Sequence, residues 1–159
     1  MEEGTVAGLV ATVAMGLAIT VTDLSTLRSA VAGLYGFEGG LLAGWLAHLA
    51  HGTVFGVVFA AVLSDPGLFR LAERRWKTAL AGIVYGVVLA VGGAGVIVPI
   101  WPGVAGVSVP VTVPNVTVPV LWWHLLYGAV FPSVCGGGAP GTRPPGDRTL
   151  PRESSRGIA

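Results

Sequence analysis

The sequence predicts an all-α protein, a four-transmembrane-helix bundle made of two parallel helical-hairpin repeats. The first observation behind this prediction is composition, since 53% of the 159 residues are apolar and 11% are charged, whereas soluble domains carry about 25% charged residues. The second is that three stretches, 4–22, 39–64 and 78–142, contain no Asp, Glu, Lys or Arg. The third is an internal repeat, which places one short motif in two of these stretches.

The repeat is an octapeptide that occurs twice, 76 residues apart. His48-Leu-Ala-His-Gly-Thr-Val-Phe55 returns as His124-Leu-Leu-Tyr-Gly-Ala-Val-Phe131, with five of eight positions identical. A second pair, Ala7-Gly-Leu-Val10 and Ala81-Gly-Ile-Val84, has its glycines 40 and 42 residues before the first histidine of each copy. Self-similarity of this kind indicates a duplicated pair of helices. Because each pair returns to its starting side, the halves are expected to be related by an axis along the membrane normal.

The four predicted spans cover residues 4–22, 39–63, 78–100 and 119–134. A helix needs about 20 residues to cross roughly 30 Å of hydrocarbon, so the 65-residue uncharged stretch cannot be one span, and its prolines divide it. Asp23 ends span one, and Ser64-Asp-Pro-Gly67 ends span two. Gly92-Gly-Ala-Gly95 is expected to bend the outer half of span three. Pro119 is acceptable in the first turn of span four.

Small residues recur at every fourth position in spans one to three. Such stripes let helix backbones approach closely, which holds membrane helices together when lipid is as apolar as leucine. The stripes predict one tight bundle, and they are also candidates for a homodimer contact or for contact with a membrane partner protein. They consist of Gly4, Gly8, Thr12, Gly16 and Thr20, of Gly40, Gly44, His48, Gly52, Gly56 and Ala60, and of Thr78, Gly82, Gly86, Ala90 and Ala94.

Basic residues predict the orientation of the protein in the cell membrane. One group lies between spans two and three and another follows span four, and cytoplasmic segments carry an excess of Lys and Arg. Both termini are therefore expected to be cytoplasmic. The two groups are Arg70, Arg74, Arg75 and Lys77, and Arg143, Arg148, Arg152 and Arg156.

The sequence divides into a transmembrane domain, residues 1–134, and a tail, residues 135–159. The tail is rich in Gly, Pro, Ser and Arg and has little to bury, so it is expected to be disordered and cytoplasmic. The chain begins Met-Glu-Glu without a basic segment, so no cleaved signal peptide is expected. Between spans one and two, leucines and a valine at helical spacing within 24–34 predict a short amphipathic helix on the outer surface. Between spans three and four, residues 106–120 alternate valine with Ser, Thr and Pro and predict an extended cover over the outer face.

The histidines are the candidate site residues, because a histidine in hydrocarbon is uncommon and usually faces protein or a cavity. His48 and His124 are the candidate cofactor ligands, since two neutral imidazoles facing each other in a bundle can ligate a haem iron. Together with His51 they are the candidate ligands of a transition metal such as zinc or copper. Two other interpretations stay open. The histidines either form hydrogen bonds between helices, worth about 0.6 kcal/mol on average, or line a path for protons or a substrate.

Several other functions find no support in the sequence, and no catalytic residue is predicted. A net charge of +1 gives no basis for nucleic-acid binding. The single Cys135 excludes an intrachain disulfide, and the chain has no Cys-x-x-Cys pair. Gly92-Gly-Ala-Gly95 lies within a span and opens no helix after a strand, so it is not a nucleotide-binding loop. Asp23 and Asp65 lie at span boundaries while the histidines are deeper, so a hydrolytic triad is not supported.

The phasing of the small residues, the His-Leu-x-x-Gly-x-Val-Phe pair and Val113-Pro-Asn-Val-Thr-Val-Pro119 resemble a group of short, uncharacterised archaeal membrane proteins, chiefly haloarchaeal. The resemblance covers about residues 4–134. Members of such groups are sometimes labelled histidine kinases, but this chain has no stretch that would hold an ATP-binding domain and no phosphate-binding loop. The resemblance therefore implies a small polytopic membrane protein and transfers no functional residue.

These observations favour an integral membrane protein that is embedded in the lipid bilayer. A non-enzymatic role, as a structural or accessory subunit that packs against itself or a partner, is favoured over an enzymatic one. The first alternative is a haem- or metal-binding electron-transfer or sensor subunit that uses His48 and His124. The second alternative is a small proton-coupled permease. Coloured protein with bound metal would favour the first alternative, and a pH-dependent flux that needs the histidines would favour the second.

Overall fold

The structure is a computed structural model that describes residues 2–68, 75–106 and 113–135. Within these ranges it is helical and contains no strand. Residues 136–159 of the predicted tail, the cover residues 107–112 and the basic residues Arg70 and Arg74 lie outside the described residues, whereas Cys135, the first predicted tail residue, ends the last helix. The helices are α1 (Glu2–Thr22), a first π-helix (Thr26–Val31), α2 (Leu41–Leu63), α3 (Arg75–Val88), a second π-helix (Leu89–Ile97), α4 (Val98–Ala105) and α5 (Val118–Cys135).

Three helices are long and apolar enough to cross a membrane. They are Gly4–Thr22, Leu41–Leu63 and Arg75–Ala105, and Val118–Val134 is a shorter apolar helix. The third, here called the third span, joins α3, the second π-helix and α4 without a break. The described residues confirm the predicted all-α fold class, with three long apolar helices and one shorter one where four spans were predicted. Helices of this length and composition are typical of membrane proteins.

The third span is longer than the predicted 78–100, because Pro99 and Pro102 do not end it. A proline removes one backbone hydrogen bond and crowds the carbonyl four residues earlier, and a widened π turn can relieve this crowding in a membrane helix. The second π-helix lies directly before Pro99 and contains the glycines expected to bend this span. The helix ends at Gly106, whose φ of 69° is the left-handed conformation that glycine adopts at helix ends.

The helices pack mainly as α1 against α2 and α5, and α3 against α5. Glycines lie at two of these contacts. A Cβ atom built on Gly8 would lie 2.9 Å from Cα of Gly56, and one built on Gly82 would collide with the carbonyl oxygen of Gly128. The backbones approach so closely because these positions have no side chain, as the sequence stripes predicted.

The segment between α1 and α2 is helical, but it packs against the protein and does not lie flat on its surface. Leu27 and Leu34 are buried, and the backbone of Leu27 lies against Gly44. The Asp23 carboxylate starts this segment by accepting hydrogen bonds from the hydroxyls of Ser25 (2.5 Å) and Thr26 (2.9 Å). The Ser25 bond is the main reason why the pKa of Asp23 lies below its usual value.

Candidate functional site: a cavity that collects the histidines

An interior cavity of about 340 Å³ lies among the helices and reaches every histidine of the chain. Its wall comes from α1, the segment after α1, α2, the second π-helix, α4 and α5, with Asn115 added from the approach to α5. The polar and aromatic residues of the wall are Thr12, Thr26, Tyr35, His48, His51, Phe55, Trp101, Asn115, Trp123, His124 and Tyr127. The two sequence copies therefore contribute to one site, although they lie 76 residues apart.

His48 is nearly buried and links two helices. Its Nε2 lies 3.2 Å from the Thr12 carbonyl oxygen of α1, and its ring meets Trp45 edge to face at a centroid distance of 6.1 Å. A carbonyl oxygen only accepts, so Nε2 is the nitrogen that carries the proton. This bond matches the interpretation of the histidines as links between helices.

His124 is half-buried and bonds within its own helix. Its Nδ1 lies 2.7 Å from the carbonyl oxygen of Val120, one turn earlier in α5, so Nδ1 carries the proton. The other ring nitrogen, Nε2, stands at the opposite edge of the imidazole. In a neutral ring that nitrogen is a hydrogen-bond acceptor.

His51 and Tyr127 occupy equivalent positions in the two copies but bond differently. Nε2 of His51 lies 2.5 Å from the hydroxyl of Tyr35, which is itself 49% exposed. The Tyr127 hydroxyl is buried and donates to the carbonyl oxygen of Gly52 at 2.6 Å. Tyr127 thus connects α5 to α2, in place of a second histidine.

Aromatic side chains close one end of the cavity. Phe59 stacks on Tyr85 at 4.7 Å between ring centroids and meets Phe131 edge to face at 5.0 Å, and the Tyr85 hydroxyl donates to the carbonyl oxygen of Phe55 at 2.9 Å. These contacts join α2 to α3 and α5. The cavity begins where this packing stops, in the half of the helices away from Arg75 and Lys77.

The mouth of the cavity lies between α2 and the third span. Four residues line the cavity and are also exposed, namely Phe55 (37%) on α2, Ile97 (63%) and Trp101 (48%) on the third span, and Tyr35 (49%) in the segment before α2. Residues that are both lining and exposed mark the place where the cavity reaches the surface. An opening between two apolar helices faces hydrocarbon when those helices lie in a bilayer.

Among the described residues, the cavity wall contains no Asp, Glu, Lys or Arg. Within the described ranges no group of three or more His, Cys, Asp or Glu side chains is placed to hold a metal ion. A metal at this site would therefore have no more than two ligands of these types from the described residues. His48, His51 and His124 do share the cavity, and their role as cofactor or metal ligands stays a prediction.

The sequence did not single out Thr12, Tyr35, Asn115 or Trp123 as site residues. Thr12 carried a signal, since it is the polar member of the span-one stripe. Trp123 donates from Nε1 to the Thr22 hydroxyl at 3.0 Å and so ties α5 to α1. Tyr35 comes from a segment that had been expected on the outer surface, and only the fold brings it to His51.

Comparison of the chain with protein-family models, curated proteins and solved structures found no match. What the chain itself shows is an all-helical protein whose apolar helices are typical of membrane proteins, with a mostly apolar cavity that collects a few polar side chains. The resemblance to the archaeal group stays a prediction.

Proposed function

We propose that this chain is a non-enzymatic accessory membrane protein that holds a small uncharged molecule in the cavity between its helices. The observation that carries the proposal is the convergence of all three histidines on one cavity of about 340 Å³ whose wall has no charged side chain. Ligand sites in proteins are mostly apolar concavities of roughly 300–1,000 Å³ with a few placed polar groups. The cavity has this composition.

The same proposal includes a four-span bundle built from two parallel hairpins. The equivalences of the two sequence copies support it. Gly8 and Gly82 are equivalent, as are Gly52 and Gly128. A Cβ on Gly8 would lie 3.1 Å from the carbonyl oxygen of Gly52, and a Cβ on Gly82 would collide with the carbonyl oxygen of Gly128. Two hairpins that cross at equivalent glycines are what a duplication of one helix pair would leave.

In the membrane, we place both termini in the cytoplasm, because Arg75 and Lys77 belong to the basic group before the third span. The cavity then lies in the outer half of the bilayer. Lipid is the surrounding partner. Association with a second copy or a partner protein would use glycines that are not already packed, and Gly92 has open space above it.

A haem- or metal-binding subunit is the second candidate, supported by the presence of His48 and His124 on the same cavity. Two imidazoles are sufficient axial ligands for a haem iron. Absorbance and metal analysis of detergent-purified protein separate the candidates. A Soret band or stoichiometric metal that is lost in His124→Ala would replace the first proposal with this one.

The test of the first proposal is a cavity-filling substitution. Gly93 lines the cavity and has open space above its Cα, so Gly93→Leu should fill the cavity while the fold is retained. Gly92→Leu is the matched control, because Gly92 also has open space but is not part of the cavity wall. Binding of an uncharged aromatic probe, 2-naphthol, is measured by calorimetry on protein in nanodiscs, with empty nanodiscs subtracted.

We expect saturable binding by the parent protein and by Gly92→Leu, and an affinity at least about tenfold weaker for Gly93→Leu, since loss of about 1.4 kcal/mol is tenfold. Equal binding by all three proteins would show that the probe sits elsewhere. Absence of saturable binding by the parent would contradict the proposal directly.

A further inference from the structure

We infer that the cavity selects a lipid-soluble molecule that carries a hydroxyl group, an alcohol or a phenol, and that this hydroxyl donates its one hydrogen bond to the acceptor nitrogen of His48 or of His124. The inference rests on the proposed function, that the cavity holds a small uncharged molecule. It adds the chemical class of the ligand and the two nitrogen atoms that can recognise it.

The first step is the proton inventory of the two rings. Nε2 of His48 and Nδ1 of His124 each point at a backbone carbonyl oxygen, which fixes the proton on those nitrogens. The remaining nitrogens are Nδ1 of His48 and Nε2 of His124. In neutral imidazoles both are acceptors, and the uncharged wall gives the rings no anionic partner that would favour protonation.

The second step is that nearby donors are already used by the protein. The Tyr127 hydroxyl donates to the Gly52 carbonyl oxygen, the Trp123 indole donates to Thr22, and the Tyr35 hydroxyl pairs with His51. A ligand that offers a donor therefore meets acceptors on His48 and His124. For a ligand that offers only acceptors, the donors left on the wall are the Asn115 amide, the Trp101 indole and the one proton that the Tyr35–His51 pair does not use, and none of these belongs to His48 or His124.

The third step is access. The mouth lies between α2 and the third span and is rimmed by Phe55, Ile97 and Trp101. A molecule that enters by this route first dissolves in the bilayer, which excludes charged compounds and favours compounds with an apolar body. An apolar body with one hydroxyl satisfies both the route and the acceptors.

The experiment compares two probes that differ only in the donor, 2-naphthol and its methyl ether, 2-methoxynaphthalene. Their affinities are measured by calorimetry with full-length protein in nanodiscs at neutral pH, where the phenol is uncharged. The expected result is that the phenol binds about tenfold more tightly than the ether, because an unmatched buried acceptor forfeits its hydrogen bond. The ratio should fall to about two or less in whichever of His124→Leu and His48→Leu removes the acceptor that the hydroxyl uses.

Trp122→Phe is the control variant, since Trp122 is 60% exposed and is not part of the cavity wall. It should keep the ratio of the parent. His124→Leu is expected to keep the fold, because the bond that it removes lies within one helix.

The outcomes separate the two proposals. Saturable binding of phenol and ether with equal affinity leaves the ligand-binding function standing and overturns hydroxyl recognition. A preference for the phenol that survives in both histidine variants also overturns it, since the hydroxyl would then be recognised elsewhere. Failure of both probes to bind the parent protein removes the proposed function and this inference together.

Discussion

The first hairpin, α1 with α2, and the second, α3 with α5, share their crossing glycines and differ in their polar residues. His48 donates across to the Thr12 carbonyl of the neighbouring helix, whereas His124 donates to Val120 in its own helix. The position equivalent to Thr12 is Gly86, and a Cβ there would collide with the His124 carbonyl oxygen. Close packing at Gly86 places the backbones of α3 and α5 against each other where a histidine ring would otherwise reach across.

The difference shows which parts of a duplicated unit are free to diverge. A Cβ on Gly52 would collide with the Thr12 side chain, and a Cβ on Gly128 would lie 3.3 Å from Cα of Gly86. The helices of each hairpin therefore cross closely at this glycine, whether the facing residue has a side chain, as Thr12 does, or has none, as Gly86. The histidine and tyrosine side chains of the two copies then donate to whichever backbone carbonyl oxygen lies within reach. The two copies of the motif thus supply one cavity with different hydrogen-bonding roles.

The largest expected effect comes from adding one methyl group at the two equivalent crossings. Gly82→Ala should destabilise the protein more than Gly8→Ala, because its Cβ meets a carbonyl oxygen more closely than the 2.9 Å separating the Gly8 Cβ from Gly56 Cα. Overpacking of this kind costs about 1–3 kcal/mol. The order of the two stabilities is measured by heating each variant in detergent and following the loss of folded protein by fluorescence-detected size-exclusion chromatography.

Gly92→Ala is the control for both glycine variants, since nothing lies within 4 Å of a Cβ at that position. Its stability should stay within about 0.5 kcal/mol of the parent. If Gly92→Ala lost as much stability as Gly82→Ala, close approach of the helix backbones would not be the role of the glycines at the crossings.

The second comparison removes the two equivalent histidines. His48→Leu should cost about 1 kcal/mol, because an interhelical hydrogen bond in a membrane protein averages about 0.6 and reaches about 1.7 kcal/mol. His124→Leu should cost less, since its bond joins residues of one helix and contributes nothing between helices. Thermal unfolding of the two variants under one set of conditions provides the measurement, and equal losses would erase the distinction between the hairpins.

The third comparison concerns the position where tyrosine replaces the second histidine of the motif. Tyr127→Phe removes the buried bond to the Gly52 carbonyl oxygen and should cost about 0.5–1.5 kcal/mol. Tyr35→Phe removes the exposed bond to His51 and should cost less, because water replaces the lost partner. Urea unfolding in mild detergent orders the pair, and a larger loss for Tyr35→Phe would reverse the proposed roles.

Much of the site could be predicted from sequence because its signals are local or repeated. His48, His51 and His124 stand out as histidines in apolar runs, and the duplicated octapeptide ties two of them together. Tyr35 and Asn115 carried no such signal. Their part in the cavity depends on how the segments before α2 and α5 fold back, and hydrophobic periodicity does not encode that.

By itself the sequence determined an all-helical chain with apolar helices, because an uncharged run must satisfy its backbone hydrogen bonds within itself once it leaves water. It also determined where small residues permit close packing. Only the tertiary structure decided that the third span continues through Pro99 and that one ring nitrogen of His48 and one of His124 bond to particular carbonyl oxygens. Those outcomes depend on distances between helices, which are set by many weak contacts acting together and not by any local pattern.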